Sequence, residues 1–243
     1  MKIIYEPRGR AREYSELAAN LYAGCDHGCI YCYAPAALKR SREQFNQSSP
    51  RAGIIRLLAD DAQEMTRKQD TRNVLLCFTC DPYQHIDVRY QITRQAIQVF
   101  NFNDVRFTVL TKGGLRSARD LDLIAAGMGA YAATLTLTDE EMRQRYEPNA
   151  APTEERLTVL KQAHDMGIPT WASLEPVIDP AQTFELIRQS CDFVDLFKVG
   201  KLNYLEEAKQ IDWRKFTTEV VGVLEEVGSK FYLKEDIRRF ANA

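Results

Sequence analysis

The chain has 243 residues, with 32 Lys and Arg against 34 Asp and Glu and a formal net charge of -2. Hydrophobic residues make up 45% and charged residues 27%, which excludes a disordered or fibrous chain. The near-neutral balance argues against nucleic-acid binding through bulk positive charge and leaves room for a local basic patch.

The N-terminal residues Met1 to Arg8 lack the apolar run of a secretory signal. Residues 1–16 read as an extension before the first strand, expected around 18–22. A cysteine-rich loop follows over 23–35. Further strands are expected at 73–79, 105–111, 131–137, 170–174 and 193–199. Helical patterns fall between them at 53–69, 88–102, 117–126, 153–166, 181–189 and 206–226, and residues 204–243 read as a C-terminal helical segment. The longest charge-free apolar stretch, 123–137, is shorter than the ~20 residues that cross a bilayer, and Gly127 and Gly129 interrupt it. The expectation is a cytoplasmic protein with no membrane partner.

Repeated β-α order predicts parallel strands joined by right-handed crossovers. About six units fit, fewer than the eight of a closed barrel. Thr153 is expected at an N-cap with Glu154 and Glu155 in the first turn. Gly167 and Pro169 end that helix, and Asp179-Pro180 opens the next.

Six cysteines are present, and without an export signal they are expected to be reduced. Cys25, Cys29 and Cys32 form C-x3-C-x2-C, a spacing that lets three thiolates converge on one soft metal centre. Structural zinc takes four ligands, commonly from two separated pairs. A lone triplet suits a [4Fe-4S] cluster in which one iron has no cysteine and can chelate a small ligand. The other reading is a three-cysteine zinc knuckle completed by His27 or a distant ligand. Gly24 and Gly28 suit a tight loop with unusual φ values.

With Tyr31 just before its last cysteine, the triplet resembles the signature of the radical S-adenosylmethionine (radical SAM) superfamily. That resemblance implies a [4Fe-4S] cluster whose open iron takes the amino and carboxylate groups of SAM. One electron then yields methionine and a 5′-deoxyadenosyl radical that abstracts hydrogen from a substrate. It further implies an external one-electron reductant, flavodoxin- or ferredoxin-like, with Tyr31 beside the adenine and the backbone around Tyr33 helping. The implied fold is α/β, a partial (β/α)6 TIM-like barrel forming a single domain over 1–243.

Longer stretches widen the likeness. Asn20-Leu21-Tyr22, Tyr33-Ala34-Pro35, Asp81-Pro82-Tyr83-Gln84, Thr111-Lys112, Glu147-Pro148-Asn149 and the run from Lys198 to Asn203 resemble the spore photoproduct lyase-like branch. Many members of that branch have no assigned substrate. Nucleic-acid modification or repair is the substrate class it implies. Modification of a small molecule or peptide is the second reading, and a non-catalytic metal-binding adaptor the third.

In a barrel of this kind functional groups gather at the C-terminal ends of the strands. By resemblance Lys112 meets the SAM carboxylate, and Thr79, Cys80 and Asp81 approach the methionyl amino group. Thr136 and Glu175 are candidates for the ribose. Cys80 is the candidate hydrogen-atom donor to a product radical. The register departs from spore photoproduct lyase, whose donor lies three residues before the aspartate, at Phe78 here. That departure counts against thymine-dimer repair itself. Cys77 and Cys80 are expected on opposite strand faces, with Cys77 a buried filler. Cys191 reads as a structural packing residue. Lys39, Arg40, Arg42, Arg51 and Arg56, and Arg8, Arg10 and Arg12 before the first strand, are either phosphate contacts or solvated surface.

Overall fold

The computed structural model describes residues 2–241. The strands are β1 (Leu17–Ala19), β2 (Tyr22–Ala23), β3 (Ser49–Pro50), β4 (Val74–Leu76), β5 (Phe107–Thr111), β6 (Gly129–Thr134), β7 (Thr170–Val177), β8 (Leu196–Lys201) and β9 (Phe231–Leu233). The helices are α1 (Ala34–Ala37), α2 (Arg42–Asn46), α3 (Ile54–Arg67), α4 (His85–Tyr90), α5 (Ile92–Phe102) and α6 (Leu115–Ala118). They continue with α7 (Leu121–Ala126), α8 (Glu140–Tyr146), α9 (Thr153–Asp165), α10 (Pro180–Ser190), α11 (Trp213–Glu226) and α12 (Glu235–Arg238).

Seven strands form one sheet in the order β1-β4-β5-β6-β7-β8-β9, every neighbouring pair parallel. The short pair β2 and β3 lies apart and is antiparallel. This is the open, curled α/β half-barrel that the alternation predicts, extended by a seventh strand. Residues 204–243 were expected to be helical, but β9 falls inside them and pairs with β8. Three residues are too few to show strand periodicity in the sequence.

The alternation of side chains explains both faces. Leu76, Val109, Tyr131, Leu174 and Val199 point outward into the main core beneath the helices. Ala18, Leu75, Ala132 and Trp171 point inward and form a smaller apolar floor with Tyr14 and Phe78 against it. Burying a large apolar side chain contributes roughly 2–3 kcal/mol. The outer face is therefore what holds the helices on.

Several boundaries differ from the sequence reading for local reasons. The helix expected over 88–102 is two helices, α4 and α5, broken at Gln91 in the left-handed region at φ 49°. Asp87 stabilises the break, since its carboxylate accepts the Thr93 amide at 3.0 Å. Thr153 is not the cap of α9. That position is Pro152, and the Thr153 hydroxyl donates to the Leu137 carbonyl at 2.6 Å. Asp179 caps α10 as expected and accepts from the Gln182 amide.

The N-terminal extension is strapped to both ends of the sheet. Tyr5 bridges Ala18 of β1. A 3-10 turn, Gly9–Glu13, then reaches β9 and α12. There Glu13 accepts from Tyr232 and from the Glu235 amide, and Arg10 pairs with Asp236 at 2.8 Å. Among the described residues no helix is long and apolar enough to cross a membrane.

Candidate active site

Cys25, Cys29 and Cys32 lie on the loop between β2 and α1 and line one cavity of about 400 Å³ on the inner side of the half-barrel. All three thiols are free. The backbone of this loop is held at several points. Cys25 donates its amide to Phe45 at 3.0 Å, Ile30 to Tyr146 at 3.0 Å, and Asn149 donates to His27 at 3.1 Å. The Arg42 guanidinium donates to the carbonyls of Cys29 at 3.0 Å and Ile30 at 2.5 Å. Gly24 makes the approach to Phe45 possible. Its φ is +96°, and a Cβ there would stand 2.3 Å from the Phe45 carbonyl oxygen.

A polar layer ties the loop to the ends of β4 and β5. The Asp81 carboxylate accepts from the Tyr83 amide at 2.8 Å, the Thr111 hydroxyl at 2.6 Å and the Lys112 amide at 2.7 Å. Its outer oxygen lies 3.5 Å from His27 Nδ1. Burial alone would raise the Asp81 pKa, but His27 and these donors hold it below the usual carboxylate range. Gln84, fully buried, accepts the Asp26 amide at 2.9 Å. Arg116 donates to the Tyr83 carbonyl at 2.8 Å and lies 3.2 Å from His27 Nε2. Burial, with Arg116 beside it, pushes His27 down to about 4, so its ring is neutral. Nε2 then accepts from Arg116, and Nδ1 carries the hydrogen that faces Asp81. Nε2 contacts Arg116 and Nδ1 faces Asp81, so His27 braces the loop from inside the polar layer.

Tyr31 forms the next part of the wall. Its hydroxyl donates to Glu147, which also accepts from Thr136 at 2.9 Å and pairs with Arg156 at 2.5 Å. Both members of that ion pair are fully buried. Burial works to raise Glu147, but Arg156 and then Lys112 bring it down to about 2. The Lys112 ammonium stands 5.6 Å from the centre of the Tyr31 ring. Burial works against its charge, and Cys29 and Glu147 outweigh that and raise its pKa.

Across the cavity, Glu175 is held by Lys234 Nζ at 2.9 and 2.7 Å and by the Tyr14 hydroxyl, which also meets Ser173 at 2.8 Å. Tyr33 is 43% exposed at the rim, and its hydroxyl reaches the Phe78 carbonyl at 3.4 Å. The amides of Phe78 and Thr79 both donate to Asn20 Oδ1 at 2.8 Å.

The structure brings some of the sequence-predicted residues together and leaves others apart. The three cysteines, Tyr31, Tyr33, Thr79, Cys80, Asp81, Lys112 and Glu175 share the cavity. Thr136 does not line it. It sits behind Tyr31 on Glu147, and Thr134 takes the place in the wall. Cys77 and Cys80 were expected on opposite faces. β4 ends at Leu76, the chain bends, and both thiols come together in the cavity wall. Cys191 is not a core residue. It is the C-cap of α10, half-exposed. In the basic runs, Arg42 is taken up by the cysteine loop and Arg51 by the Tyr22 carbonyl at 3.2 Å. Arg8 and Arg10 line the cavity, and Lys39, Arg40, Arg56 and Arg12 are exposed surface.

The thiols themselves fit a cluster. Burial pushes Cys25 and Cys32 up and Cys29 up to about 12, so unligated thiols here stay protonated. A cationic metal centre reverses that by taking the thiolates as ligands. Among the described residues, no three His, Cys, Asp or Glu side chains converge on a site of single-ion size. The cysteines instead border the shared cavity of about 400 Å³.

Residues 19–194 match the Radical SAM superfamily. The chain belongs to the radical SAM superfamily. A protein of Acidianus two-tailed virus is 24% identical over 204 residues, covering 79% of this chain and 67% of that one. One from Methanocaldococcus jannaschii is 24% identical over 188 residues, covering 76% and 69%. Both relatives are uncharacterized. Among solved structures, a spore photoproduct lyase variant superimposes with a TM-score of 0.74 at 14% identity, covering 94% of this chain and 79% of the other. Streptococcus suis SuiB bound to S-adenosylmethionine gives 0.64 at 13% identity, covering 89% and 49%. This chain therefore spans about half the length of SuiB. These likenesses establish the partial TIM-like barrel as the fold.

Glu147, Arg156, Arg116, Tyr14 and Lys234 are the site-forming residues that sequence reasoning did not assign, and Arg42 was read only as a phosphate contact or solvated surface. Glu147 stood in a motif quoted above and carried a signal. The others are single charges or rings in ordinary helical or loop contexts.

Proposed function

We propose that this radical SAM protein is an enzyme that binds one [4Fe-4S] cluster through Cys25, Cys29 and Cys32 and cleaves S-adenosylmethionine reductively. When bound, the cluster and SAM supply one-electron chemistry, giving methionine and a 5′-deoxyadenosyl radical that takes a hydrogen atom from a substrate. The observation that carries this reading is the convergence of three free thiols, Tyr31 and Lys112 on one cavity. The chain's own residues have distinct tasks. Arg42 and the amide contacts fix the cysteine loop. Lys112 offers its charge to the SAM carboxylate, and Tyr31, locked by Glu147, gives a flat face to the adenine. Asp81 has its carboxylate filled by donors, so it acts by holding the β4 and β5 loops in place. Thr79 remains free to meet the methionyl group through its hydroxyl.

Cys80 is 8% exposed on the cavity wall, and we assign it the role of hydrogen-atom donor to a product radical. Thr136 is left out of the ribose contacts, and Thr134 takes its place. The reductant is an external one-electron carrier of the flavodoxin or ferredoxin kind, and the six free cysteines fit a reducing, cytoplasmic compartment. We assign the described residues 2–241 to a single radical SAM domain. The experiment is a SAM titration of the anaerobically reconstituted, reduced protein, followed by electron paramagnetic resonance. SAM should change the cluster signal in wild type and do so with at least about tenfold weaker affinity in Lys112→Ala, the loss expected for one charge-assisted contact. A cluster signal indifferent to SAM sinks the reading.

A further inference from the structure

The cavity has a second cationic group, far along the sheet from Lys112. Lys112 follows β5, whereas Lys201 ends β8, with β6 and β7 between those strands. Arg8 and Arg10 come from the N-terminal strap, and all three side chains line the same cavity as the cysteines. Arg10 is fixed by two contacts, Asp236 at 2.8 Å and the Tyr204 hydroxyl at 3.2 Å. Arg8 and Lys201 meet no carboxylate among the described residues. The Lys201 ammonium lies over the Trp213 and Phe240 rings, 5.0 and 5.5 Å from their centres. Its pKa is held below the ordinary value, first by burial and then by Arg239, with Asp236 pulling the other way. Glu175 cannot neutralise this lip, because Lys234 and Tyr14 already fill its oxygens. Tyr204 stands at the same rim, 78% exposed.

We propose that this lip, formed by Arg8, Arg10 and Lys201 with Tyr204 beside them, is a subsite for a phosphate ester on the substrate. Arg8 and Lys201, the two cations without a carboxylate partner, with Arg10 held beside them by Asp236, match the several oxygens of a phosphate better than the two of a carboxylate. The exposed Tyr204 ring gives a base or other flat group attached to that phosphate a surface to stack on. The inference rests on the reading of the cavity as a substrate chamber and names the substrate class that the chamber admits.

Calorimetric titration of the cluster-reconstituted protein tests it, without any need for SAM cleavage. The probes are inorganic phosphate, a nucleoside 5′-monophosphate, a dinucleoside monophosphate and the uncharged nucleoside. The phosphate-bearing probes should bind, and the nucleoside at least about tenfold more weakly. The Arg8→Ala/Lys201→Ala double variant should lose about tenfold or more, while Lys39→Ala, an exposed cation outside the cavity, should match wild type. Lys201→Gln, a single change at a half-exposed side chain, should lose about threefold and guards against misfolding of the double variant. Tighter binding of the dinucleotide supports the subsite with a nucleic-acid source, and tighter binding of the monophosphate supports it with a free phosphorylated metabolite. Equal binding by wild type and double variant, or nucleoside binding as tight as the monophosphate, overturns the proposal. Phosphate binding without a SAM-responsive cluster signal would sink the SAM reading and leave the subsite standing. A SAM-responsive signal without phosphate binding would do the reverse.

Discussion

Tyr31 and Glu147, 116 residues apart in sequence, share a hydrogen bond in the wall of the cysteine cavity. The bond makes an aromatic ring next to Cys32 depend on a carboxylate at the end of α8 and, through it, on the buried Arg156. Ring, carboxylate and guanidinium therefore act as one unit.

Removing the middle of that unit should be costly. Glu147→Ala leaves Arg156 charged and fully buried with its carboxylate gone, and we expect a loss of about 3–5 kcal/mol in stability. Tyr31→Phe deletes one hydroxyl and should cost about 1 kcal/mol. Urea denaturation of the two variants beside wild type checks the order. Equal losses would show that the ion pair is not the anchor.

The same carboxylate sets an acid limit. Its folded pKa of about 2 lies below its ordinary value of 4.5. The stability it contributes is thus present above pH ~4.5 and lost as pH falls through about 2, a total of about 3 kcal/mol. Urea midpoints measured from pH 6 to pH 3 should fall in wild type and fall less steeply in Glu147→Gln. Parallel slopes would contradict the assignment.

Lys198 has the opposite consequence. Its ammonium lies 4.6 Å from the centre of the Trp171 ring and donates to the Tyr14 carbonyl at 3.0 Å. Burial and the neighbouring Lys234 lower its pKa to about 8. The unfolded chain holds the proton more tightly, so stability rises as pH climbs from about 8 towards 10.5. Lys198→Met, which keeps the apolar stem and drops the charge, should gain about 1 kcal/mol at pH 7. A thermal melt at pH 7 decides it, and a lower melting temperature would mean the charge is better accommodated than its surroundings indicate.

Arg42 should matter to cluster retention more than to folding. Its fork spans two carbonyls of the cysteine loop from an exposed position. Arg42→Ala should leave the unfolding free energy measured in urea within about 0.5 kcal/mol of wild type and speed iron loss under air. Arg42→Lys should rescue little, because an ammonium cannot bridge two carbonyls as a planar guanidinium does. Iron release followed by chelator absorbance measures it. Wild-type release rates in Arg42→Ala would remove the clamp from the account.

How much of this was legible beforehand follows from chain distance. The triplet could be read because Cys25, Cys29 and Cys32 are local and their spacing has a chemical meaning. The barrel could be read because hydrophobic runs and helices alternate along 240 residues. Asp81 was legible as a site residue but not in its role, since only the fold reveals three donors and His27 around its carboxylate. Thr136 and Thr134 are both polar at the end of one strand, and the choice between them depends on where Glu147 comes to lie. Arg156 looked like any charge on a helix, because nothing in α9 announces that its face is buried against Glu147. Lys234 was hidden by the brevity of β9, which brings it to Glu175.

The most direct test of the central claim is anaerobic. The protein is reconstituted with iron and sulfide, reduced with dithionite, given SAM and assayed for 5′-deoxyadenosine, with Cys29→Ala in parallel. The account predicts 5′-deoxyadenosine from wild type and none above background from Cys29→Ala. A wild-type protein that retains zinc in place of iron and yields no 5′-deoxyadenosine would contradict it.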